Sequence, residues 1–276
     1  MLKSKILKNF KFFLPLTVSL IFTLNFYVNS EELSGKFIQG GLIFGKTNSD
    51  NKVYFNDLKI PIDENGNFLI GISRMHPKNG VIKIYKPNGE IKVINISVKQ
   101  RIYKIQRINN LDKAKVTPPQ EFFSRIQKEG LKIKSAKKQK VDKSYYNSGF
   151  IMPAKGIITG VYGSQRILNG IPKRPHFGID IANKLGSPII SPADGIVVMA
   201  EKDLYFSGGT IIISHGRGLT SSLLHLKKIL VKKGDTVKKG QLIGLMGETG
   251  RATGSHLDWR MEIRGVRIDP ELILKR

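Results

Sequence analysis

Cysteine is absent from the 276 residues, tryptophan occurs once, histidine five times, and acidic residues are outnumbered by basic ones, 21 to 46. Without thiols the chain can build no disulfide scaffold, thiolate nucleophile, Cys-ligated zinc site or iron–sulfur cluster, so any metal must be held by His and carboxylate. The shortage of acid leaves a formal charge of +25. That charge suits an anionic partner such as nucleic acid, a lipid surface or a cell-wall polymer, although the abundance of Lys, Ile and Asn also supplies a purely compositional origin. The apolar share, 40% AVILMFWYC beside 28 Gly, is that of a globular chain and excludes wholesale disorder and collagen-like repeats. One or two packed domains fit the length.

The amino terminus narrows the choice of partner. Lys3, Lys5, Lys8 and Lys11 precede an apolar run from Phe12 to Val28, and Val28-Asn29-Ser30 places small residues near a cleavage point. Residues 1–30 therefore read as a secretory signal peptide. The run slightly exceeds the usual hydrophobic region of such peptides, so an uncleaved anchor is the alternative. Either form carries the remainder out of the cytoplasm, where nucleic acid is not an expected partner. Removing the segment takes away four Lys and no acid and leaves a charge of +21.

Residues 33–108 alternate short β-rich runs with turn signals: Lys36-Phe37-Ile38, Lys52-Val53-Tyr54-Phe55, Asn67-Phe68-Leu69-Ile70, Val81 to Tyr85 and Ile91 to Ile94. Asn65-Gly66 and Asn88-Gly89 provide the positive φ angles of tight turns. A small antiparallel β-sandwich follows. Its one histidine, His76, lies beside Pro77 with no carboxylate at ligand spacing and reads as a surface turn residue. Over 109–143, Phe122, Ile126, Ile133 and Ala136 recur at helical spacing, and residues 112–143 hold ten Lys+Arg against four acids. A basic helical linker interrupted by Gly130 is expected, either packed on its own domains or lying on a membrane or wall surface.

Residues 144–276 are dense in glycine and in β-branched runs, which predicts a mostly β, antiparallel domain. Four of the five histidines, His176, His215, His225 and His256, fall here, as a metal or acid–base site would require. In His176-Phe177-Gly178-Ile179-Asp180, strand parity puts His176 and Asp180 on one face with Gly178 leaving room between them. In His256-Leu257-Asp258-Trp259, it puts His256 and Asp258 on one face and sends Leu257 and Trp259 to the core. Each pair alone also suits a plain polar contact. His225 is a polar residue within the apolar run Leu223-Leu224-His225-Leu226, while His215, where a strand ends, reads as a turn residue. Tyr205 to Gly209 reads either as a groove lining or as a Gly-rich loop serving the fold.

On these residues the segment Tyr162–Ile263 resembles the lysostaphin-type (LytM) M23 zinc metallopeptidases. His176-x-x-x-Asp180 matches the family's H-x-x-x-D, Leu224-His225-Leu226 its "HL" histidine, and Val231 to Gly254 the hairpin-rich stretch before the last motif. The resemblance implies one Zn²⁺ on His176, Asp180 and Asp258, with His225 and His256 as catalytic histidines. It further implies hydrolysis of peptide cross-links in peptidoglycan by a periplasmic protein of a Gram-negative envelope. The family's final H-x-H is His256-x-Asp258 here, so the ligand set brings two negative charges instead of one. Metal-bound water would be less polarised, and metal preference could drift toward Mn²⁺. The rival expectations are a catalytically inactive wall-binding protein or activator of a cell-wall amidase, and a biotinyl or lipoyl carrier suggested by Gly234-Asp235-Thr236-Val237-Lys238-Lys239-Gly240-Gln241. The carrier lacks the modified lysine on a tight turn.

Overall fold

The computed structural model describes residues 32–111 and 113–274; the signal segment expected at 1–30 lies outside them. No helix among the described residues is long and apolar enough to cross a membrane. The chain is mostly β and antiparallel, its strands short because Gly and Asn-Gly turns recur at close intervals.

The amino-terminal half holds β1 (Glu32–Gly35), β2 (Leu42–Lys46), β3 (Lys52–Phe55), β4 (Leu58–Ile60), β5 (Asn67–Gly71), β6 (Asn79–Tyr85) and β7 (Ile91–Ser97). They form two sheets, β1-β2-β5 and β4-β3-β6-β7. Alternation along β6 buries Ile82 and Ile84 against Ile43, Val53, Phe68 and Ile70, leaving Lys83 and Tyr85 outside. The β6–β7 hairpin turns at Lys86–Glu90, where Lys86 N–H donates to Glu90 O at 2.9 Å and Gly89 takes φ +86°. Lys36-Phe37-Ile38, expected as a strand, is not one: Gly35 at φ +108° ends β1, and Ile38 makes only an isolated bridge to Lys99. His76 is buried, correcting the surface assignment: its ring stacks on Phe55 at 5.2 Å and its Nδ1 donates to Pro77 O at 2.7 Å.

Next come β8 (Ile105–Ile108), α1 (Lys113–Val116) and α2 (Phe123–Lys137). The helix α2 runs through Gly130 without the expected interruption, because its neighbours are good helix formers and Gly weakens a helix by only about 1 kcal/mol. Ile133 and Ala136 pack on Val198, Met199 and Ile212. Lys132 and Lys137 pair with Glu201 and Glu262 at 2.6 and 2.9 Å.

The carboxy-terminal half contains β9 (Ile157–Gly160), β10 (Gln165–Leu168), β11 (Ile171–Pro172), β12 (Gly178–Ala182), β13 (Pro188–Ile190), β14 (Gly195–Leu204), β15 (Gly208–Gly216), β16 (Leu219–Ile229), β17 (Thr236–Val237), β18 (Leu242–Met246), β19 (His256–Ile263), β20 (Val266–Ile268) and α3 (Pro270–Leu274). The main sheet runs β17-β14-β15-β16-β19-β12-β9, with β18 joining β13 and β16, and β20 beside β19. Its core is aliphatic around Trp259, whose Nε1–H donates to the Ser221 hydroxyl at 3.2 Å. Leu42 and Leu69 from the amino-terminal sheets enter the same core. A third small sheet sets β8 parallel to β10, next to β11.

Candidate metal and hydrolytic site

The site forms where β12 meets β19. Their antiparallel register pairs Gly178 with Arg260, Asp180 with Asp258 and Ala182 with His256. Alternation along β19 sends Leu257, Trp259 and Met261, all fully buried, to the core and turns His256, Asp258 and Arg260 to the other face. Asp180 thus stands directly across from Asp258, with the two carboxylates on one surface. His176 lies just ahead of β12, where its N–H donates to Ser164 O at 2.8 Å and its carbonyl accepts from Gly163 N–H at 2.7 Å.

The donor atoms of His176, Asp180 and Asp258 lie within 4.8 Å of one another, and all three residues are buried. His176 Nε2 and Asp180 Oδ1 are 3.1 Å apart. Neither makes a hydrogen bond, and His176 Nδ1 is also unpartnered. Buried polar atoms left without partners are rare and call for an explanation. Two ligand atoms at contact distance but not aimed at each other are what a shared cation would produce. The donor set, one imidazole and two carboxylates, suits zinc or a harder dication.

Two guanidinium groups flank the carboxylates. Arg260 Nε is 3.0 Å from both oxygens of Asp258, and its second nitrogen is 2.5 Å from Oδ2. Arg166, from β10, pairs with Asp180 Oδ2 and donates through Nε to Gln106 Oε1 at 3.1 Å. Burial alone would raise the Asp258 carboxyl, but Arg260 and His176 hold it far below the usual carboxylate range. Burial and Asp258 likewise push Asp180 up, yet His176 and Arg166 bring it below its ordinary value. A carboxylate offers about four lone-pair directions, so these contacts leave room for a cation on the inner side. The glycines make the pairs possible: a Cβ on Gly178 would stand 2.7 Å from both Arg260 Cγ and Asp258 Oδ1, and one on Gly160 would strike Asp180. The space expected at Gly178 for an ion is thus filled by the stem of Arg260.

Beside the trio, the rings of His225 and His256 lie 4.7 Å apart. A carbonyl can only accept, so His225 Nδ1 donates to Thr249 O at 2.7 Å and His256 Nδ1 to Gly254 O at 2.8 Å. Each Nε2 is left with a lone pair. Burial, with the adjacent His256 and Arg260, pushes the His225 imidazole down to about 4 against the smaller pull of Asp258. His225 sits at φ +67°, a backbone conformation side chains seldom adopt and one that marks functional loops and strand kinks. Arg251 lies over the Phe206 ring at 4.7 Å, and its N–H donates to Phe206 O at 2.8 Å. Ser207 O accepts from the His225 N–H at 2.9 Å, which places the Tyr205–Gly209 segment at the edge of the site.

His215 is not part of it and is not a turn residue. It is fully buried inside β15, with Nδ1 donating to Asp194 O at 2.7 Å and Nε2 2.8 Å from the Ser221 hydroxyl. The sequence reading passed over both arginines. Extending the parity of β19 by one step reaches Arg260, whereas Arg166 comes from a separate hairpin and carries no local signal.

The site is thus an imidazole and two carboxylates that could hold a metal ion, beside two further imidazoles, on an antiparallel β framework. Residues 174–270 match the model of peptidase family M23. Among curated relatives, the peptidoglycan DD-endopeptidase ShyA of Vibrio cholerae is 46% identical over 102 residues, 36% of this chain and 24% of the relative. The lipoprotein NlpD/LppB homolog of Pseudomonas aeruginosa is 35% identical over 128 residues, 46% of this chain and 40% of that protein. The matched region thus spans well under half the length of either relative. A Pseudomonas aeruginosa crystal structure assigned to peptidase M23 has the same fold, with a TM-score of 0.66 at 24% identity over 87% of this chain and 95% of that one.

Proposed function

We propose that the protein is an extracytoplasmic, zinc-dependent endopeptidase that hydrolyses peptide cross-links of peptidoglycan in a Gram-negative envelope. The observation that carries this reading is the convergence of His176, Asp180 and Asp258 beside the His225–His256 pair, with His176 and Asp180 retaining buried, unpartnered ligand atoms. A relative named as a peptidoglycan DD-endopeptidase supports the substrate class. His176, Asp180 and Asp258 would hold the zinc, which when bound supplies Lewis acidity toward the scissile carbonyl and its water nucleophile.

The remaining work falls to the chain. His225, neutral because it is buried, presents Nε2 as a proton acceptor for the attacking water. A group pushed down to about 4 holds a proton poorly and passes it readily to the leaving amine. His256, less buried and hydrogen-bonded through Nδ1 to Gly254, can donate from Nε2 to the developing oxyanion once it carries a second proton. The guanidinium of Arg251 at the rim, like the basic surface as a whole, favours a polymer rich in carboxylates.

The ion pairs Asp258–Arg260 and Asp180–Arg166 favour a second reading, in which the guanidinium groups balance the carboxylate charges without metal and the domain is a wall-binding protein or amidase activator. Mass spectrometry of muropeptides released from diaminopimelate-type sacculi separates the two. The full chain should convert cross-linked dimers to monomers with zinc, and fail with chelator or as His256→Ala. Binding to sacculi with no cleavage under any condition would favour the second reading.

A further inference from the structure

We infer that Arg260 sets the charge and orientation of Asp258, so that the pair acts toward a dication as one neutral ligand; this rests on the metal centre proposed above. Four observations lead there. Arg260 contacts both oxygens of Asp258 through Nε and adds a second nitrogen to Oδ2, a fork that fixes the carboxylate plane. Both residues lie on the same face of β19, two positions apart, so the strand itself holds the pair in register. Opposite Arg260 on β12 stands Gly178, and a side chain there would collide with both Arg260 Cγ and Asp258 Oδ1. Asp258 is 1% exposed, so its charge needs a partner whether or not a cation is present.

The consequence is a dependence between two positions. Together Asp258 and Arg260 carry no net charge, as a neutral imidazole would. Placing an imidazole at 258 while keeping Arg260 would set an unpaired guanidinium, half-buried, against the cation. Replacing Arg260 alone would leave the buried carboxylate with its charge answered only by the metal. Arg260 is thus a positioning residue, acting on the metal through Asp258.

The test is zinc affinity, from competition with a chromophoric chelator, and melting temperature in excess chelator. Both are measured on the full chain as wild type, Asp258→His, Arg260→Gln and the double variant. Asp258→His should weaken zinc binding by about 10–100-fold, the range for disturbed outer-shell partners, and lower the melting temperature in chelator. The double variant should recover both. Arg260→Gln should lose melting temperature in chelator and regain it when zinc is added. Asp258→His binding zinc as tightly as wild type, or Arg260→Gln melting as wild type in chelator, would overturn the inference while leaving the metal centre standing. If neither wild type nor the double variant binds zinc, the metal centre itself fails, and the inference with it.

Discussion

At the scale of single residues, the polar groups beneath the site are as constrained as those in it. His215 Nδ1–H donates to the Asp194 carbonyl, so Nε2 must accept, and the Ser221 hydroxyl donates to it while accepting from Trp259 Nε1–H. The chain of bonds has one direction and no place for a second ring proton. Burial pushes the His215 imidazole down to about 4, against a weaker upward pull from the Asp194 carbonyl. The native state therefore binds fewer protons than the unfolded chain between the ordinary histidine value and about 4. Stability is full above that ordinary value, falls as the pH drops through the window, and levels off below it. At 1.36 kcal/mol per unit, His215 contributes a loss of about 3 kcal/mol, and His225, pushed to about 4 as well, adds to the same window. Urea unfolding from pH 7 to 4 should show this decline, and His215→Gln should flatten it; parallel curves for the two proteins would refute the assignment.

At the scale of elements, the strand pair β12–β19 decides the site, and the helix α2 packs farther along the same face of the sheet, on Met199 and Ile212 and through Lys137 onto Glu262. Gly130 lies in the middle of α2 on its exposed side, and a Cβ there would meet nothing within 4 Å. Its cost is carried by the unfolded chain's extra freedom alone, so Gly130→Ala should stabilise the protein by about 0.5–1 kcal/mol. Urea denaturation reads this directly, and a destabilised variant would mean that α2 is not a regular helix at that position. Much of this scale was legible in advance. Strand parity placed His256 and Asp258 on one face and Leu257 and Trp259 on the other, as the structure has them. Parity could not say that Asp180 lies across from Asp258, because the two strands are far apart in sequence and register is a property of the pairing.

At the scale of the whole molecule, the amino-terminal sheets do not stand apart from the sheet that bears the site. Leu42 and Leu69 lie in the same cluster as Trp259 and Ile263, and Arg101 pairs with the buried Asp269 at 2.7 Å. From β8, Gln106 reaches Arg166 and through it Asp180. A shared core predicts shared cooperativity. Calorimetry of the described chain should show one transition, and Leu69→Ala should shift all of it, costing about 2–5 kcal/mol. Two transitions, with only the earlier one moved by Leu69→Ala, would show that the sheets unfold separately.

Periodicity, turn chemistry and composition are local, and they were enough to determine a β-rich, thiol-free chain whose only metal ligands could be imidazole and carboxylate, and to mark His176, Asp180, His225, His256 and Asp258. They misplaced His76 and His215, since burial depends on what packs over a residue and not on its neighbours in sequence. They also counted two uncompensated negative charges at the candidate centre. Only the tertiary structure brought Arg260 back onto Asp258 and carried Arg166 from another hairpin onto Asp180. Charge is balanced through space, by side chains that the order of residues leaves unconnected.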